Sequence, residues 1–272
     1  MSSRSGEGFG VRAGPLPPAE ARLTGAEALA ELLRSSERAV VLTGAGISVP
    51  SGIPDFRSPG TGLWENVDPL EVAHIDAWRA TPDRFWSFYG QRFASLIDTR
   101  PNRAHEAVAE LERRGAVRGV ITQNIDRLHR MAGSERVIEV HGSIEFSSCM
   151  RCGDRVPLDR VVEILRTGDG APECVACVEP LKPDVVLFGE LLPEQAIAEA
   201  QLLAMEADLM ICIGSSLTVY PVAGLPELTC RAGGRLSLIT AGETPYDSQA
   251  EVKLEGDVVD ELDAVLAAFD RY

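Results

Sequence analysis

The chain has 272 residues, enough for one large α/β domain or a large domain carrying a small insertion. Its 26 basic and 41 acidic residues leave a formal charge of −15, which repels phosphate backbones and anionic lipid and argues against a nucleic-acid or membrane role. Aromatic residues, at 6%, argue against a base-stacking surface, and no apolar run reaches the roughly 18 residues that a membrane span needs.

The opening stretch, MSSRSGEGFGVRAGPLPPAE, has no continuous apolar core and is rich in Gly, Ser and Pro, so residues 1–23 read as a disordered tail and not as a secretory signal. Thr24 to Ser35 places Ala26, Leu29, Ala30 and Leu33 at helical spacing. Ala39 to Leu42 is a short apolar run ending at Thr43-Gly44, the pattern of a buried parallel strand entering a glycine turn. Similar runs recur at Gly119–Thr122, Asp184–Phe188, Leu209–Ile213 and Leu236–Ile239, with helical patterns at Arg103–Arg114 and Pro193–Glu206 between them. Strands alternating with helices predict an α/β fold, a doubly wound parallel Rossmann-like sheet built from 24–142 and 181–272. Two segments interrupt the alternation: 58–101, read as loop plus short helices, and 143–180, which carries cysteine pairs. Both are expected to build a smaller helical and metal-binding lobe.

Several predicted strands end in polar or glycine residues: Thr43-Gly44, Thr122-Gln123-Asn124, Gly214-Ser215-Ser216 and Thr240. Ligands in such sheets bind beyond the carboxyl ends of the strands, so these four places are expected to form one site. The string GAGISVPSGIPDFR, Gly44 to Arg57, follows the first strand. Its glycines would let the backbone approach a phosphate, Ser48 and Ser51 offer hydroxyls and Arg57 a cation. The dehydrogenase fingerprint G-x-G-x-x-G does not fit, because its third position falls on Val49. Taken alone, the glycine pair fits a tight structural turn equally well.

Of the four histidines, His74 lies in the first insertion, and His105 and His129 fall in predicted helices, where structural roles are expected. His141 differs: it ends the apolar run 137–140 and precedes Gly142. Imidazole suits general-base work near neutral pH, although a structural role is open on the residues alone. Cys149-x-x-Cys152 and Cys174-x-x-Cys177 each supply two thiolates from one turn, the pattern of a closed four-sulfur structural zinc site in a reducing, cytosolic compartment. Two disulfides or free thiols are the alternatives. Cys212 and Cys230 read as packing residues.

The fourteen-residue string resembles the NAD-binding signature of the sirtuin family. The motifs downstream follow that family's order: TQNID at 122–126, His141-Gly142, the cysteine pairs, Phe188-Gly189-Glu190, Gly214 to Leu217 and Gly256-Asp257-Val258. The resemblance runs from about residue 24 to the end and is closest to bacterial deacetylases, through TQNIDRLH, AGSERVIEVHG and GETPYD. It implies that NAD is consumed as co-substrate while acetyl groups are removed from protein lysines, giving nicotinamide and O-acyl-ADP-ribose. In that scheme the acyl oxygen attacks the ribose carbon, and His141 then deprotonates a ribose hydroxyl, with Asn124 assisting.

The resemblance further implies that Ala45, Val49, Phe56 and Arg57 line the NAD pocket. Gln123, Ser215, Ser216, Asp257 and Val258 would hold ribose and adenine, and Ile125 and Asp126 would meet the nicotinamide amide. Thr240 stands where the family usually has Asn, which shortens one ribose contact, and Ala241 would contribute its backbone. A substrate peptide would add as a strand between 185–190 and 217–221, with the Val186 carbonyl meeting the lysine nitrogen and Phe188 walling the acyl tunnel. Tyr89 and Arg92, at i and i+3, resemble the pair that grips succinyl and malonyl groups in some sirtuins. The other readings are a mono-ADP-ribosyltransferase, an NAD dehydrogenase and a non-catalytic ADP-ribose-binding module.

Overall fold

The computed structural model describes residues 23–55, 68–168 and 170–271. Ala39–Thr43 (β1) is buried along its whole length, as a central parallel strand must be. It pairs in parallel on one side with Val120–Thr122 (β2), and beyond that lies Val137–Glu139 (β3). On the other side come Leu209–Ile213 (β7), Arg235–Ile239 (β8) and Val252–Leu254 (β9), again all parallel. The order is β3-β2-β1-β7-β8-β9, so the chain winds outward in both directions from a switch point between β1 and β7.

Side chains alternate across this sheet into two apolar layers. Val41 and Ile211 face Leu29, Leu111 and Val265, from the helices Gly25–Arg34 (α1), Arg103–Arg113 (α5) and Val258–Phe269 (α10). Val40 and Met210 face Leu203 and Leu225, from Glu194–Glu206 (α8) and Leu225–Arg231 (α9). Thr24 starts α1 through a reciprocal capping box with Glu27. A short helix, Leu128–Met131 (α6), follows β2. No helix among the described residues is long and apolar enough to cross a membrane.

The two interruptions fold together. Pro69–Val72 (α2), Ile75–Ala80 (α3) and Pro82–Asp98 (α4) come from the first. Gly142–Cys149 (β4), Arg155–Pro157 (β5) and Leu158–Thr167 (α7) come from the second. Phe85, Trp86 and Phe93 of α4 share one core with Ile144, Val161 and Leu181. Burial of each such side chain contributes about 1.5–3 kcal/mol. Trp86 Nε1 also donates to the Leu181 carbonyl at 2.8 Å.

The structure moves one expected strand. The run at 184–188 is not part of the parallel sheet: its strand is Leu181–Val185 (β6), which closes an antiparallel sheet of order β5-β4-β6. An apolar run reports burial and not which sheet buries it. Gly142 decides the matter locally: it sits at φ 75, and a Cβ there would lie 2.1 Å from the Asp184 carbonyl oxygen, so only glycine lets β4 and β6 meet so closely. The smaller lobe therefore extends past Pro180.

Candidate active site

The glycines after β1 serve a contact between protein segments. Gly44 donates its N–H to the Ile213 carbonyl at 3.0 Å, and Gly46 to the Gly214 carbonyl at 2.8 Å. A Cβ on Gly46 would stand 2.7 Å from the Gly214 Cα. The loop after β1 is thus seated on the end of β7 across the switch point, and these two N–H groups are not left free to cradle a phosphate. The two serines are also turned inward. Ser51 accepts from Asn102 Nδ2 at 2.9 Å, and Ser48 is 1% exposed.

Ser48 is the hub of a buried polar cluster. Its hydroxyl donates to Asp126 Oδ2 at 2.7 Å and accepts from Asn124 Nδ2 at 3.1 Å. Asn124 Nδ2 also donates to the Gly44 carbonyl at 3.1 Å, which can only accept, so the amide orientation is fixed and Oδ1 is left as an acceptor. The second oxygen of Asp126 accepts the Leu128 N–H at 3.0 Å. Burial raises the Asp126 pKa, and the bonds from Leu128 and Ser48 oppose it.

Behind this cluster lie two buried rings. His105 Nε2 is 3.4 Å from Ser48 Oγ, and the His105 and His129 rings meet edge to face at 4.9 Å. Thr43 donates to Thr122 Oγ1 at 2.8 Å, so His129 Nε2, 3.0 Å from Thr43 Oγ1, carries the proton of that contact. Burial lowers the pKa of His105 to about 4 and of His129 to about 3, so both rings are neutral. These are the packed, structural histidines that their helical positions led one to expect.

His141 stands at the other edge of the cluster, between β3 and β4. Its Nδ1 lies 3.0 Å from the Gln123 carbonyl, while its own carbonyl accepts the Val186 N–H at 2.8 Å. A carbonyl only accepts, so Nδ1 carries the proton and Nε2 keeps its lone pair. Burial lowers the His141 pKa, and the Gln123 bond opposes that in part. Gln123 Nε2 reaches Ser215 Oγ at 2.9 Å, tying the end of β2 to the end of β7.

The four cysteines form a second cluster at the far side of the smaller lobe. Their Sγ atoms all lie within 4.8 Å of one another, and none is in a disulfide. A tetrahedral zinc with Zn–S bonds of about 2.3 Å would set the sulfurs about 3.8 Å apart. Cys152 and Cys174 are at 3.6 Å. The Cys152 backbone N–H beside Cys149 pulls that thiol down to about 7, whereas its hydrogen bond with Cys152 pushes Cys177 up to about 12. Four sulfur donors this close, with no other ligand type among them, fit a closed structural zinc.

The Sir2 family model matches residues 44–221. The NAD-dependent protein deacetylase 2 of Caldanaerobacter subterraneus is 47% identical over 226 residues, 82% of this chain and 87% of that protein. A solved structure of Sir2 with a p53 peptide and NAD+ superposes with a TM-score of 0.82 at 43% identity, covering 88% of this chain and 96% of the other. A third, Sir2Tm bound to a propionylated peptide, gives 0.81 at 42% identity, covering 89% and 97%. The chain belongs to the Sir2 family.

In this Sir2 chain the structure brings Ala45, Gln123, Asn124, Asp126, His141 and Ser215 to one end of the sheet, around the switch point. Val49 is exposed on the 3-10 turn Ala45–Ser51, and Phe56 and Arg57 lie outside the described residues. Ile125 packs against the core of the smaller lobe and accepts the Ile144 N–H at 3.1 Å. Ser216 and Thr218 share a hydroxyl contact at 3.0 Å. Thr240 follows β8 and bonds Leu254 through its N–H at 2.9 Å, with exposed Ala241 beside it. The Asp257 carboxylate caps α10, accepting from Val259 and Asp260, and Val258 begins that helix.

Of the residues expected to meet the acyl group, Phe188 is exposed and bridged on both sides to the segment 73–75. Tyr89 is stacked within α4 between Phe85 and Phe93, at 4.8 and 5.5 Å. Arg92 is drawn back onto its own helix, donating to the Phe88 carbonyl at 2.6 Å with its guanidinium 4.0 Å from the Phe88 ring centre. The residue whose role the sequence hid is Ser48: a serine in a glycine-rich loop reads as a phosphate donor, and only the 3-10 turn reveals that it faces inward.

Proposed function

We propose that this Sir2-family chain removes acetyl groups from protein lysines, consuming NAD and releasing nicotinamide and O-acetyl-ADP-ribose. The observation that carries the reading is the tautomer of His141. Its proton is committed to Gln123 and its Nε2 is free, where the loop after β2 meets the segment bearing Val186. NAD, when bound, supplies the ADP-ribosyl group with nicotinamide as its leaving group. His141 acts as general base on a ribose hydroxyl, and its lowered pKa keeps the basic form populated at neutral pH.

Asn124 offers the acceptor Oδ1 to a ribose hydroxyl, because both its N–H groups are engaged by Gly44 and Ser48. Ala45, Val49, Phe56, Arg57, Gln123, Ser215, Ser216, Thr240, Ala241, Asp257 and Val258 would surround the remainder of the dinucleotide, with Ile125 and Asp126 at its nicotinamide end. The Val186 carbonyl, with no hydrogen-bond partner among the described residues, suits the N–H of an acylated lysine. Phe188 would wall the acyl chain. Relatives named as deacetylases and a Sir2 structure with a propionylated peptide favour short apolar acyl groups. The retracted Arg92 supports that preference over succinyl or malonyl groups. The clustered thiols fit a reducing compartment, the cytosol.

The test is product analysis with NAD and an acetyl-lysine peptide. Nicotinamide, deacetylated peptide and O-acetyl-ADP-ribose should appear in equal amounts. Labelled ADP-ribose attached to protein without deacetylation would identify a transferase instead.

A further inference from the structure

The segment 185–190, against which the acyl-lysine peptide is proposed to lie, has left the β6 ladder and is held by other means. Val186 donates to the His141 carbonyl at 2.8 Å. Phe188 donates to the Ala73 carbonyl and accepts from the Ile75 N–H, both at 2.9 Å. Gly189 is left-handed, at φ 84, and a Cβ there would lie 2.5 Å from His74 Nε2. These contacts secure Val186 and Phe188 and leave the main chain between and around them to be fixed.

An ion pair between a buried lysine and a half-buried glutamate fixes it. Lys182 is 7% exposed, in the short strand Leu181–Val185. Its Nζ donates to the carbonyls of Pro183 at 3.1 Å and Val185 at 2.8 Å, and pairs with Glu190 Oε2 at 2.9 Å. All three ammonium donors are therefore used. The same Glu190 oxygen accepts the Leu187 N–H at 2.9 Å, and Glu190 returns its own N–H to the Leu187 carbonyl at 3.0 Å. The pair thus takes up the carbonyl before Val186 and the N–H after it, so the two peptide planes flanking Val186 are both gripped. The Val186 carbonyl is the group left over.

An ion pair of this kind contributes little net stability, because desolvation of its charges offsets their attraction. What it supplies is a single geometry. From this we infer that Lys182 and Glu190 are positioning residues for the deacylation reaction, setting the direction of the Val186 carbonyl toward the acyl-lysine N–H. The inference rests on the deacetylase reading and adds to it a determinant of peptide affinity. Neither residue touches the reacting atoms.

The experiment compares wild type with Lys182→Met and Glu190→Gln in the full chain. It measures KM for an acetyl-lysine peptide, KM for NAD, direct binding of a fluorescent acetyl-lysine peptide, and amide exchange over 185–190. Lys182→Met should raise the peptide KM and Kd by about ten-fold, the worth of one misaligned hydrogen bond, with the NAD KM within about two-fold of wild type. Glu190→Gln keeps an acceptor for the Leu187 N–H and should raise them by about three-fold, with faster exchange at Val186 and Leu187. If Lys182→Met does not fold, Glu190→Gln carries the test.

An unchanged peptide KM and Kd in folded Glu190→Gln, or peptide and NAD KM rising together, would overturn the inference. Wild type that binds the peptide without releasing nicotinamide would remove the deacetylase reading and leave the binding comparison to decide the positioning role. Wild type that does not bind the peptide would overturn both.

Discussion

The Nδ1 of His141 and the carbonyl oxygen of Gln123 are 3.0 Å apart, and that one contact decides which face of the imidazole is basic. With Nδ1 protonated, Nε2 is the base, and protonation of Nε2 abolishes it. Burial lowers the His141 pKa below its ordinary value of 6.5. Deacetylation should therefore hold constant through neutral pH and fall on acidification, with a midpoint below that ordinary value. His141→Ala should cut kcat by about 10²-fold or more while the fold stays intact, the usual loss when a general base is removed. A pH–rate profile with its acid limb above the ordinary histidine value would contradict the assignment.

Ser48 ties Asn124 to Asp126, so Ser48→Ala leaves a buried amide N–H and a buried carboxyl oxygen each a partner short. The expected cost is about 1–3 kcal/mol of stability. Nicotinamide release should fall at least as far as in a variant of equal stability loss elsewhere, for example a truncation at Leu203 of α8. A Ser48→Ala enzyme with wild-type melting and turnover would show that the cluster is not coupled as the distances indicate.

Much of the fold was legible because a parallel strand buried on both faces must be apolar throughout: Ala39–Thr43 and Leu209–Ile213 announce themselves. The edge strand Val252–Leu254 does not, since its middle residue, Lys253, pairs with Asp247 and Glu255. The strand expected at 184–188 overlaps the observed Leu181–Val185 only at Asp184 and Val185, and its place in the smaller sheet was not legible, because that depends on Gly142 meeting Asp184 from a distant part of the chain. In the site, thiols and imidazole declare their chemistry by type and spacing. Ser48 and Lys182 do not: a hydroxyl or an ammonium reads as surface chemistry until the backbone turns it inward.

His105 and His129 give the protein an acid-sensitive interior. Their folded pKa values, about 4 and about 3, lie below the ordinary 6.5. Below pH 6.5 the unfolded chain binds protons that the folded chain excludes, so stability present above that pH is lost as pH falls toward 4. The loss reaches at most about 1.4 kcal/mol per pH unit for each ring. The raised carboxyls of Asp126 and Glu139 act with the opposite sign, so the direct check is ring-proton NMR. Both rings should stay neutral from pH 8 to pH 5, and titration of either near 6.5 would refute the prediction.

The two zinc knuckles share a turn that sequence treats differently. Four residues after Cys149 stands Gly153, at φ 76, and four after Cys174 stands Val178, at φ 59. A β-branched residue in the left-handed region is strained, and Val178 is 68% exposed, so little packing compensates. Val178→Gly should stabilise the knuckle by about 1 kcal/mol and raise the chelator concentration needed to strip zinc. A lower melting temperature in this variant would sink the strain argument.

Trp86 and Leu181, joined by an indole hydrogen bond, come from stretches of chain separated by two strands of the other lobe's sheet and the whole of the cysteine cluster. Neither stretch can bury its apolar face without the other, so the smaller lobe has no autonomous half. Its folding waits on distant loop closure, and it is expected to form late and to unravel as a unit. Loss of metal at the cysteines is then felt in α4, which supplies none of the ligands.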